Sequence, residues 1–265
     1  MPLTVTFGPG ASAYDRHVGR WSRLYVPALL TAAGVAPGQR ILDVATGTGE
    51  AALAAAPCVA PSGRVLGADI ALPMLEVARA KIAGRPITLV AMDGQALACR
   101  DKSFDAVICQ LGLMHLPDVV RGVEEFRRVL RPGGRVAVCV WSKPERVPMF
   151  SILGGTLSRC LPAQRDALHL AYSLGDPHRL GRLLAEAGLH EVCVTGETRE
   201  IAYESFDDYW SPVEAGAGRS GQAYRALPAE VRQAVRKDVQ ERLSQFASGG
   251  RFVMEAEALI ASGTR

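Results

Sequence analysis

A chain of 265 residues lies near the upper size for one hydrophobic core, so a single domain with an elaborated edge is expected over two equal ones. Apolar residues at 48% and charged residues at 22% exclude a disordered chain, and no uncharged run reaches the roughly 18 residues of a spanning helix, so no membrane insertion is expected. The net charge of +3 is spread without a basic tail or lysine run, which argues against a nucleic-acid partner.

The chain opens MPLTVTFGPG, with no basic region leading into a long apolar run, and a cytoplasmic location is expected. Residues 1–39 are expected to form an N-terminal helical segment. From Arg40 to Trp141, β-branched runs alternate with helical patterns, the signature of repeated βαβ units and a parallel sheet. The strands are placed at residues 40–45, 64–70, 87–93, 104–110 and 135–141, each a nearly continuous apolar run, as a strand covered on both faces should be. Between the last two, Asp118 is the expected N-cap of a helix with apolar positions Val119, Val123, Phe126 and Leu130, ended by the RPGG that follows. Residues 142–265 are expected to form a substrate-side cap and closing strands: a helix at 175–189, a strand from His190, a helix from Pro228 to Phe246, and a closing strand at 250–263. The glycine-, serine- and aromatic-rich stretch from Phe206 to Tyr224 is expected to be a mobile loop or cap. Six cysteines without a CxxC pair or nearby histidine suggest neither a disulfide framework nor a metal site, and Cys109, Cys139 and Cys193 are expected to pack as small hydrophobes.

The most informative run is DVATGTGEAA. Gly47, Gly49 and Ala52 follow a predicted strand and open a helix with GxGxxA spacing, and Asp69 ends the next strand about 20 residues on, where a carboxylate can take a ribose diol. These residues alone fit either a dinucleotide or S-adenosylmethionine (SAM). The acids separate the two. In a doubly wound sheet the ligand binds beyond the carboxyl ends of the strands, so Asp43, Asp69 and Asp93 converge there, with Glu50 in the first helical turn. Two like charges about 4 Å apart repel by on the order of 4 kcal/mol at a surface-like dielectric, which disfavours a pyrophosphate and suits the cationic SAM. Simpler roles stand beside these: Asp43 and Asp93 as caps of their turns, and Glu50 as an ordinary first-turn acid.

The sequence resembles the class I SAM-dependent methyltransferases, and among them the ubiquinone and menaquinone biosynthesis group. The resemblance is carried by YDRHVGRWSR (14–23), ILDVATGTGE (41–50), VLGADIALPMLEVAR (65–79), AMDGQAL (91–97), FDAVICQLGLMHLPD (104–118) and FRRVLRPGGRVAVCVWS (126–142), in the family's order and spacing. It implies a Rossmann-like doubly wound sheet of about seven strands, mostly parallel with an antiparallel closing strand, plus helical cap elements. It also implies SAM as cofactor, S-adenosylhomocysteine (SAH) as product, and no metal. Gly47 and Gly49 would let the backbone approach the methionine part, Asp69 would hold the ribose, and Ile70 and Leu72 would pack on adenine. Asp93 and Gly94 would read the adenine edge, Gln110 would lie under the methionine, and Tyr14 would close over the cofactor or anchor the N-terminal helix. Asp43, Ala45, Met74 and Gln95 complete the expected cofactor set.

Methyl transfer from a sulfonium is an in-line displacement, so the protein's main task is alignment, and only some acceptors need a general base. His115 is placed to serve as that base or to be a structural histidine in a tight turn, with His17 a weaker candidate. Met114, Trp141, Phe150, Tyr209 and Trp210, with Met149 and Phe206, are expected to line an apolar acceptor pocket, part of that set being ordinary core. The leading expectation is methylation of O, N or C of a small hydrophobic or aromatic metabolite by a single methyltransferase domain (1–265, core 40–141), with a homodimer as the expected assembly. The alternatives are a quinone-precursor C-methyltransferase and a SAM-binding domain without methyl transfer. Against quinone carbon methylation stand Val140 at the end of the fifth strand, where those relatives carry a glutamate, and the missing asparagine after the tyrosine segment.

Overall fold

The computed structural model describes residues 11–265 apart from three side chains, and both the MPLTVTFGPG start and the His17 side chain lie outside the described residues. Helix α1 (Ala11–Tyr14) runs through a π-turn (Asp15–Gly19) into α2 (Arg20–Ser22), and α3 (Val26–Ala32) follows. The core then alternates: β1 (Arg40–Val44), α4 (Glu50–Val59), β2 (Arg64–Asp69), α5 (Leu72–Lys81), β3 (Ile87–Ala91), β4 (Phe104–Gln110), α6 (Val119–Val129) and β5 (Leu130–Trp141). Helices α7 (Pro148–Cys160), α8 (Arg165–His169) and α9 (Pro177–Glu186) lead to β6 (His190–Tyr203). Three more helices, α10 (Phe206–Glu214), α11 (Gly218–Arg225) and α12 (Ala229–Leu243), precede β7 (Ala247–Ser248) and β8 (Arg251–Thr264).

The strands form one sheet in the order β3-β2-β1-β4-β5-β8-β6, with β7 hairpinned onto β8. The first five are parallel, and β8 enters antiparallel between β5 and β6. The Rossmann-like sheet with its antiparallel closing strand therefore matches the expectation. Ile41, Leu42, Val107, Ile108 and the run Val136–Val140 are all 0% exposed, which is why the central strands read as unbroken apolar runs. Each such Val, Leu or Ile side chain contributes about 1.5–3 kcal/mol by leaving water. Because parallel strands put all their carboxyl ends on one edge, Val44, Asp69, Ala91 and Gln110 open onto the same crevice.

Several expectations are corrected. Strand β5 begins at Leu130, and Leu130 pairs with Phe104 before the ladder resumes at Arg135 opposite Ala106, so RPGG is carried as an irregularity within the strand. The stretch 206–224, expected to be a mobile loop or cap, holds two helices and is no loop. Ser205 accepts from Asp208 N at 3.1 Å as an N-cap, and Phe206, Tyr209, Trp210 and Val213 turn inward at helical spacing. Pro212 disguises this stripe in the sequence, although it sits within the helix. Cys109 and Cys139 pack in the core, but Cys193 is exposed because β6 is the edge strand.

Candidate active site

The turn after β1 is built from left-handed backbone. Ala45 has φ 56°, Gly47 φ 54° and Gly49 φ 88°, so three of five consecutive residues adopt a conformation natural only to glycine. Such strain at the end of a central strand persists where the backbone must turn sharply to face a ligand. Gly49 caps α4, and a Cβ there would lie 3.3 Å from the Ala78 Cβ of α5. The turn is locked from the neighbouring strand β2: Thr46 N donates to Ala68 O at 3.0 Å, and Gly47 N to Asp69 Oδ2 at 2.8 Å.

Two carboxylates define the electrostatics. Asp43 is fully buried; its Oδ2 accepts from Thr46 Oγ1 at 2.6 Å, while Oδ1 has no hydrogen-bond partner among the described residues. Burial pushes its pKa up to about 7 against the lowering effect of the Thr46 and Ala52 hydrogen bonds, and Asp69 raises it further. Asp69 is also raised by burial, offset in part by backbone donors at Ala71, Gly47 and Ile70. Beside them, Ile70 and Leu72 are 70% and 61% exposed, large apolar side chains left bare at the crevice rim. An orphaned buried acceptor, a second raised carboxylate and a bare apolar ledge are what a cationic ligand with a flat aromatic group would complete, so these residues fit SAM.

The other expected cofactor residues divide. The Asp93 carboxylate accepts from Gln95 N at 2.9 Å and Gln95 Nε2 at 3.1 Å, so it closes its own turn. Gln95 Oε1 accepts from Asp118 N at 2.7 Å, which ties this turn to the start of α6 instead of offering the amide to a ligand. Gly94 packs so closely that a Cβ would lie 2.9 Å from Val44 Cγ1, and Met74 is buried in α5. Gln110 Nε2 donates to Ser22 O at 3.0 Å, pinning the N-terminal segment over β4, while its buried Oε1 has no hydrogen-bond partner among the described residues. Glu50, expected to add negative charge, is neutralised by Lys81, which also pairs with Asp15 at 2.7 Å.

Past this crevice opens an apolar pocket of about 960 Å³, counting the open water at its mouth. Of the residues expected there, Trp141, Met149, Phe150 and Tyr209 line it, together with Tyr14, Leu111 and His115. Burial pushes the Tyr14 hydroxyl up, and the charges of Asp69 and Asp15 add to this, while Tyr14 also lines the pocket. Met114, Trp210 and Phe206 do not reach the lining: all three are buried, and Trp210 Nε1 donates to Glu214 Oε1 at 3.0 Å. The His115 pKa is lowered to about 4, first by burial and then by the charge of Arg219. Sequence reasoning missed Leu153 of α7, Ala171 and Tyr172 in the turn after α8, and Arg219 of α11, none of which carries a motif. Among the described residues no group of three or more His, Cys, Asp or Glu could hold a metal ion, and no helix is long and apolar enough to cross a membrane.

Residues 42–138 match the family model described as a methyltransferase domain. The demethylmenaquinone methyltransferase of Streptomyces griseus is 34% identical over 182 residues, covering 64% of this chain and 77% of that protein. The protein of the same name from Renibacterium salmoninarum is 38% identical over 185 residues, covering 65% and 74%. In three dimensions, phosphoethanolamine N-methyltransferase 2 of Haemonchus contortus, solved in complex with S-adenosyl-L-methionine, is similar at a TM-score of 0.59 and 18% identity, over 96% of this chain and 56% of that one. The last likeness bears on the fold, and the first two on the family. The chain belongs to the SAM-dependent methyltransferases.

Proposed function

We propose that the chain transfers a methyl group from SAM to O, N or C of a small hydrophobic or aromatic acceptor held in the pocket bounded by Trp141, Phe150 and Tyr209. The observation that carries this reading is the position of Tyr14, which lines the apolar pocket and lies within reach of the Asp69 charge. When bound, SAM supplies an activated methyl group on a sulfonium, and the protein needs only to align the acceptor with it. In this reading Asp69 takes the ribose hydroxyls, the free oxygen of Asp43 faces the cofactor's positive charge, and Ile70 and Leu72 cover the adenine. The aromatic walls exclude water and fix the acceptor's plane. Neutral at physiological pH, His115 can accept a proton or a hydrogen bond from the acceptor, but its lowered pKa makes it a weak base.

The N-terminal segment (1–39) and the cap (142–265) close over the core (40–141) to form one functional unit in this proposal, working as a homodimer in the cytoplasm on a free small molecule rather than on nucleic acid. A second reading, carbon methylation of a quinone precursor, draws support from the names of the two relatives at 34% and 38% identity. Incubation with methyl-labelled SAM and a panel of phenols, quinones and amines separates these readings by which acceptor gains label. Binding of SAM with no transfer across the panel would instead favour a domain that binds SAM without using it for methylation.

A further inference from the structure

Arg219 lies in the first turn of α11 and lines the acceptor pocket beside Ser220. No Asp or Glu shares that lining, and among the described residues no ion pair or hydrogen bond engages the Arg219 guanidinium. Other arginines of the cap differ: Arg159 is paired with Asp238 and Arg251 with Glu204. Partial burial without a counter-ion lowers the Arg219 pKa, and its charge in turn weighs on His115. A guanidinium held against apolar walls is stable when something in the cavity supplies negative charge, and its planar fork matches two oxygens at once. No Asp or Glu among the residues lining the pocket supplies that charge, and an anionic occupant would supply it.

We propose that Arg219 selects methyl acceptors bearing an anionic oxygen group, which it pairs while the apolar walls take the attached ring or chain. The inference rests on the reading of this pocket as the acceptor site. Burial first, and then the Arg219 cation beside it, oppose protonation of His115, and an acceptor that brings its own negative charge suits such a site.

The test is calorimetric titration of the SAH-loaded protein at pH 7 with 1-hydroxy-2-naphthoate and with 1-naphthol, which differ by one carboxylate. The wild type is expected to bind the naphthoate at least about tenfold more tightly. Arg219→Gln should erase that preference while leaving 1-naphthol within about twofold, and Arg219→Lys should restore part of it. Equal binding of the two by the wild type, or a preference that survives in Arg219→Gln, overturns the proposal. Ala171→Phe, which fills the pocket, keeps the two levels of inference apart, with SAH affinity as the check on folding. If it abolishes both ligands while Arg219→Gln leaves the preference intact, the arginine inference alone fails. If it leaves both bound, or if neither binds the wild type, the acceptor-pocket reading fails and the inference with it.

Discussion

Asp43 shows how a single residue can trade stability for ligand binding. Its carboxyl titrates near 7 in the folded protein and near 4 in an unfolded chain. Between those values the folded state holds a proton that the unfolded state has released, so this group's contribution turns against the fold as pH rises from about 4 to about 7. Asp43→Asn keeps the shape and removes the charge. Scanning calorimetry at pH 8 is expected to show a Tm about 5 °C higher for the cofactor-free variant, and titration a loss of SAM affinity of at least about tenfold. A variant that is no more stable and binds SAM normally would show that the buried charge has no such role. At this scale Asp43, Asp69, Gly47 and Gly49 were legible because strand, turn and carboxylate come at fixed spacing. Arg219 was not, since nothing around it in the sequence marks a pocket. Asp93 and Gln95 were each expected at the cofactor, but the sequence does not say that they bond to each other.

At the level of elements, the central strands and α6 could be read directly, because a doubly covered strand is apolar throughout and α6 announces itself with Asp118, whose side chain accepts from Arg121 N at 3.0 Å. Helices α10 and α11 were hidden by Pro212 and by the glycines at 216, 218 and 221, which suggested a loop while the stripe from Phe206 to Val213 kept helical spacing. Two predictions belong here. Gly49→Ala forces a side chain into φ 88° and against Ala78 of α5, and is expected to destabilise the protein by about 1–2 kcal/mol in urea unfolding, with SAM binding weakened as α4 shifts. On α6, Arg128 bonds to Glu125 at 2.6 and 2.8 Å, and Glu125 Oε2 in turn accepts from Leu97 N at 2.8 Å. The arginine holds the Glu125 pKa below the usual carboxylate range. Arg128→Met strands that buried carboxylate and is expected to destabilise the fold by about 2–3 kcal/mol in the same assay, without altering SAM affinity in the protein that remains folded.

For the molecule as a whole, the N-terminal segment is the clasp between two halves. Asp15 pairs with Lys81 on the cofactor side, and Arg20 bonds to Asp208 of the cap at 3.1 and 3.0 Å. This closure was not readable from sequence, because it joins residues 188 positions apart without a shared motif. The crevice it covers holds two carboxylates with raised pKa values, and SAM, the cofactor of the family, is cationic. In the proposed site the SAM cation favours the ionised form of Asp43, so SAM affinity is expected to rise with pH up to about 7 and then level off. The most direct test is calorimetric titration of SAM into the wild type at pH 6 and pH 8, with Asp69→Ala alongside. Tighter binding at pH 8, with proton release at pH 6 and a loss of at least about tenfold in Asp69→Ala, is the predicted result. Equal SAM affinity at both pH values and in the variant, or tight binding of NADH with none of SAM, would contradict it.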